Sequence, residues 1–68
     1  MPYKNEALCA AIKTLYKSEA ACARALGWSR QRLNKITTGA KEPDVYELNE
    51  LARKLKRPVG EVCKFFLQ

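Results

Sequence analysis

The chain predicts an all-α fold, a compact bundle of five short helices, and three observations carry that expectation. Apolar residues recur at helical spacing along most of the chain, and no stretch alternates at period two for long enough to make a strand. Good capping residues and glycines fall between the apolar stripes. At 68 residues there is room for one domain with a modest core, 1–68, so efficient packing or oligomerisation must support it.

The first helix is expected from about Asn5 to Tyr16. Asn5 can cap it, and Glu6 sits in the first turn, where the helix dipole favours an acid. Leu8, Ile12 and Leu15 recur at i, i+4, i+7, with Ala11 alongside, while Lys13 and Lys17 lie off that stripe. The second helix is expected from Glu19 to Leu26 behind a Ser18 cap, with Cys22, Ala23 and Leu26 inward. Its run of alanines lets a neighbouring helix approach closely. Gly27 stops it, because glycine takes positive φ without a Cβ penalty.

The third helix starts after Ser29, a second cap, and runs to about Thr37, with Gly39 ending the element. Leu33 and Ile36 are its large apolar residues and define the inward side. At about 100° per residue the opposite side is Gln31, Asn34 and Lys35, flanked by Arg30 and Arg32. The fourth helix begins at Asp44, with Glu47 three residues on in a capping-box pattern. Val45, Leu48, Leu51, Ala52 and Leu55 form its apolar side, and Glu50 is placed to pair with Lys54. The basic residues at its end, Arg53, Lys54, Lys56 and Arg57, complement the dipole. The fifth helix follows Pro58, with Val59, Val62, Cys63 and Phe66 on one side. Phe65 and Leu67 point away from that side.

Charge is distributed unevenly. Residues 20–41 hold five basic residues and no acid, against eight basic residues and all seven acids elsewhere. A local patch of this kind points to a polyanion, with nucleic acid as the default partner. A membrane is a poor second, because no apolar run approaches the roughly 20 residues of a spanning helix. The start, Met1-Pro2-Tyr3-Lys4-Asn5-Glu6, has no apolar block after its lysine, so a signal peptide is not expected and the cytoplasm is.

The three cysteines, Cys9, Cys22 and Cys63, form no Cys-x-x-Cys pair, and the chain has no histidine. Reduced thiols packed as small hydrophobes are expected, with no metal and no cofactor. Without histidine, and with no evident base for Thr14, Ser18 or Ser29, nothing asks for an enzyme. No small-molecule ligand is evident.

Residues 18–37 thus read as two helices joined across Gly27-Trp28-Ser29, a helix-turn-helix whose corner is filled by Leu26, Trp28, Leu33 and Ile36. Trp28 is expected in that corner rather than as a stacking platform. Tyr3, Tyr16, Tyr46 and Phe65 are too scattered to make a single-strand RNA surface. The chain resembles the lambda-repressor/Cro-like, or Xre-type, helix-turn-helix family over about Leu8 to Phe66. The resemblance is carried by Ser18-Glu19, Ala23, Leu26-Gly27, Trp28-Ser29-Arg30, Leu33, Lys35-Ile36, Gly39, Pro43, Leu48, Leu51-Ala52, Leu55 and Val59-x-Glu61-Val62. The Phe65-Phe66 ending resembles short phage-encoded regulators of that family.

The chain also departs from the family pattern. Glu19 stands where many members have a glutamine that supports a phosphate contact, and its carboxylate is expected to brace Arg30 or Arg32 instead. Trp28 replaces a smaller aliphatic residue. Lys56 stands where glycine commonly closes helix four, and Pro58 where a capping Ser or Thr is common.

The resemblance implies that helix three enters the major groove of double-stranded DNA. Side-chain chemistry agrees: Gln31 and Asn34 can bond an adenine edge, Arg30 can fork onto guanine, and Lys35 can donate to the same acceptors. Ser18, Ser29, Arg32, Thr38 and Lys41 suit phosphate oxygens, whereas Arg24 is expected in solvent. One such helix reads only a few base pairs, so a homodimer on a near-palindromic operator is expected. Phe65 and Leu67 are its candidate contacts, or else they cover the core edge. The leading expectation is a sequence-specific repressor. The alternatives are the antitoxin half of a toxin–antitoxin pair, or another protein-interaction module on the same fold, and a nonspecific nucleic-acid binder.

Overall fold

The computed structural model describes residues 4–67. Tyr3 and the start Met1-Pro2 lie outside them, as does Gln68. Five helices follow in chain order: α1 (Glu6–Leu15), α2 (Glu19–Leu26), α3 (Arg30–Thr37), α4 (Val45–Leu55) and α5 (Val59–Lys64). No strand occurs among the described residues. Fold class and helix boundaries agree with the sequence expectation.

Local chemistry explains most boundaries. Asn5, Ser18, Ser29 and Asp44 each cap the helix that follows by accepting a backbone N–H. At Asp44 the box is complete, because Glu47 also accepts from the Asp44 N–H. Pro58 caps α5 with no side-chain bond. Both α2 and α4 end in a left-handed residue, Gly27 at φ 75° and Lys56 at φ 57°. In each, the next N–H reaches back five residues, Trp28 to Ala23 O at 2.9 Å and Arg57 to Ala52 O at 3.1 Å. That bond satisfies a terminal carbonyl that has no partner inside the helix.

One core joins all five helices. Leu8, Ala11 and Ile12 of α1 meet Cys22, Ala23 and Leu26 of α2, Leu33 and Ile36 of α3, Leu51, Ala52 and Leu55 of α4, and Val62 of α5. Trp28 fills the α2–α3 corner at 8% exposure. Two long-range bonds tie the ends together: Asn5 Nδ2 donates to Phe65 O at 2.8 Å, and the Tyr16 hydroxyl donates to Lys54 O at 3.0 Å.

Several apolar residues sit differently from the expectation. Leu15, Val45 and Val59 are 44%, 74% and 41% exposed. Leu15 is the last residue of α1, and Val45 and Val59 are the first of α4 and α5, so each lies where its helix runs past the core. Phe65 is half-buried against the core, with the Arg57 guanidinium 5.9 Å from its ring centroid. Leu67 is 72% exposed. Glu50 pairs with Arg53 at 3.0 Å rather than with Lys54.

Candidate nucleic-acid interface

The α2–turn–α3 unit rests on its corner. Gly27 reverses the chain, Ala23 lets α2 and α3 cross closely, and Leu26, Trp28, Leu33 and Ile36 are buried beneath them. The Ser29 hydroxyl oxygen accepts from Arg32 N–H at 3.1 Å and sets the first turn of α3. With Leu33 and Ile36 held inward, Arg30, Gln31, Asn34 and Lys35 are all exposed, and with Ser29 they line one surface concavity. Among the described residues neither Arg30 nor Lys35 forms an ion pair.

Beside this face lies a charged hub. Glu47 is 0% exposed, and its Oε2 accepts from Arg32 Nε at 3.0 Å and Lys41 Nζ at 2.9 Å, while Oε1 takes the Asp44 N–H. Burial pushes the Glu47 carboxyl up. The backbone bond and the two cations outweigh that and hold it below its ordinary value. The Arg32 guanidinium also lies over the Trp28 ring, 4.5 Å from its centroid. Arg32 and Lys41 keep side-chain exposures of 40% and 45%, so each still presents N–H groups outward. Their two positive charges and the single Glu47 charge leave one net positive charge.

Ser18 and Ser29 cap through their oxygens, which leaves each hydroxyl proton available to an acceptor. Thr38 differs, because its hydroxyl donates to Asn34 O at 2.8 Å. Glu19 braces neither Arg30 nor Arg32. Its carboxylate accepts from Asn34 Nδ2 and from the Thr37 hydroxyl, each at 3.1 Å. The geometry explains the difference: Glu19 opens α2, and the residues of α3 that face it are one and two turns beyond Arg30.

A helix-turn-helix family model of the Cro/C1, Xre-like type matches residues 11–62, well over half of the chain. The chain belongs to this family. In this Cro/C1-type helix-turn-helix the match spans Ala11 to Val62 and so takes in the whole α2–α3 unit. No curated protein and no solved structure matches the chain. Family membership makes it a DNA-binding helix-turn-helix of regulatory type.

Sequence reasoning missed the Glu47 hub. Glu47 was legible as a capping-box acid, but its partners lie 15 and 6 residues away, and no local pattern pairs them. Among the described residues no group of three or more His, Cys, Asp or Glu is placed to hold a metal, and no helix is long and apolar enough to cross a membrane.

Proposed function

We propose that this protein is a sequence-specific repressor that inserts α3 into the major groove of an operator. The single observation that carries the reading is the α3 face: Arg30, Gln31, Asn34 and Lys35 are exposed together, over a buried Leu33 and Ile36. Arg30 and Lys35 match guanine acceptors, and the amides match adenine. Arg32 and Lys41, aimed by Glu47, join Ser18 and Ser29 on phosphate oxygens, and Thr38 joins them once its hydroxyl turns from the Asn34 carbonyl. Two copies would sit on a near-palindrome in the cytoplasm and exclude polymerase by occupancy.

The antitoxin reading keeps the same DNA face and adds a protein partner. Exposed Leu67 favours it, and Phe65, held against the core, does not. Selection of duplexes from a random pool, followed by fluorescence anisotropy, tests the main reading. One enriched site is expected. Replacing Arg30, Gln31 and Lys35 together with alanine is expected to weaken binding to it by at least about a hundredfold, since each good base contact discriminates by about 1–3 kcal/mol. A triple variant that is folded and binds as the parent does rejects the proposal.

A further inference from the structure

Glu19 places a carboxylate at the rim of an otherwise cationic surface, and it is directed at α3. It is half-buried, with Oε1 3.1 Å from Asn34 Nδ2 and Oε2 3.1 Å from the Thr37 hydroxyl. Thr37 is 1% exposed, so the inner end of this contact is out of water. The single Thr37 hydroxyl proton is shared with Asn34 O, also 3.1 Å away. The carboxylate is therefore located from one side by a buried residue.

An ionised carboxylate only accepts hydrogen bonds, so the Asn34 atom facing it must be the NH2 group. That fixes which way round the amide stands. An unrestrained asparagine can turn over and offer either a donor or an acceptor to a base edge. Here one of the two N–H groups is engaged by Glu19, which holds the nitrogen toward α2, and Oδ1, which accepts no hydrogen bond among the described residues, is left for the exposed side that Asn34 shares with Arg30, Gln31 and Lys35. In the major groove an acceptor is matched by an exocyclic amine, which adenine carries at N6 and cytosine at N4. Guanine and thymine present oxygen, and guanine N7 as well, which an acceptor cannot bond.

We propose that Glu19 is a specificity-determining residue: by holding the Asn34 nitrogen it turns the Asn34 carbonyl to the groove and restricts the contacted base to adenine or cytosine. The inference rests on the reading of α3 as the base-reading helix and adds which bases one of its residues accepts. Glu19 touches no base and acts through Asn34. A glutamine at position 19 can both donate and accept, so it would let the Asn34 amide stand either way round.

The test is selection from a random duplex pool with the parent, Asn34→Ala, Glu19→Gln and Glu19→Ala, each with its native helical spectrum checked. Asn34→Ala identifies the position that Asn34 reads, as the one whose preference disappears. In the parent, that position is expected to favour the two base pairs that place adenine or cytosine on one and the same strand over the two reversed pairs by about fivefold, which corresponds to one hydrogen bond. In both Glu19 variants the preference is expected to fall below about twofold there, with all other positions unchanged. Three results overturn this assignment alone while an enriched site stands: a preference that does not group adenine with cytosine on one strand, such as purine over pyrimidine or A·T over G·C in either orientation, an adenine-or-cytosine grouping that survives both Glu19 variants, or no position that responds to Asn34→Ala. Failure of the parent to enrich any sequence instead rejects base reading by α3, and this inference with it.

Discussion

Glu47 shows how one side chain links folding to the interface. It is buried, it completes the α4 capping box, and it holds both Arg32 and Lys41. Because its folded pKa lies below the ordinary value, its contribution is present in full above the unfolded carboxylate pKa of about 4.3 and is lost as pH falls through the folded value. Glu47→Gln is therefore expected to lower stability at pH 7 by about 1–3 kcal/mol, the cost of breaking hydrogen bonds to a buried charge. The gap between parent and variant should narrow toward pH 3, as the parent carboxyl itself protonates. Urea unfolding at pH 7, 5 and 3 measures this, and a gap that does not change with pH contradicts it. Cys22 gives a second test at the same scale. Burial, with Glu19 adding to it, pushes its thiol up to about 11. Alkylation of Cys22 at pH 8 is expected to be slow in the folded protein and to become fast when urea unfolds it. Fast labelling under native conditions means that the α2 core position opens.

The helix ends are where this chain departs from its family pattern, and the structure shows what that does. Gly27 and Lys56 close α2 and α4 with the same left-handed turn, yet only one of them is glycine. A side chain in that region costs about 1–2 kcal/mol, partly offset by the smaller freedom of the unfolded chain, about 0.4–1 kcal/mol. Matched substitutions should therefore act with opposite sign. Lys56→Gly is expected to stabilise by up to about 1 kcal/mol. Gly27→Ala, where a Cβ meets nothing within 4 Å, is expected to destabilise by about the same amount. For a domain of this size that is a Tm change of about 4–8 °C in each direction, readable by thermal denaturation. A loss of stability in Lys56→Gly would show that the lysine stem contributes more than its backbone strain removes. Helix ends were also the part of the fold most legible in the sequence, because Asn5, Ser18, Ser29 and Asp44 act within three residues of themselves. Contacts made at a distance were not. Glu19 meeting Asn34 and Thr37 depends on the angle between α2 and α3, which periodicity does not encode. Val45 continues the apolar pattern of α4 but falls beyond the core edge, because pattern gives a side and not how far the core extends along it.

At the scale of the whole molecule, the basic patch and the size of the domain bear on the proposed dimer. The longest axis is 26 Å, shorter than the roughly 34 Å of one turn of duplex, so two copies fit side by side on one face with half-sites a turn apart. The patch also limits how strongly binding depends on salt. With Arg30 and Lys35 on bases, the cations on phosphate are Arg32 and Lys41, about two neutralised phosphates per copy. Each neutralised phosphate contributes about −0.9 to the slope of log K against log salt. The slope is thus expected at about −2 on an isolated half-site and about −4 on the full operator. Inserting about five base pairs between half-sites turns them to opposite faces and should return the slope to the half-site value. Titrations at several salt concentrations on the three duplexes decide the matter. Equal slopes and affinities on half-site and operator would mean that one copy binds alone, which removes the reason for a palindrome while leaving the α3 contacts in place.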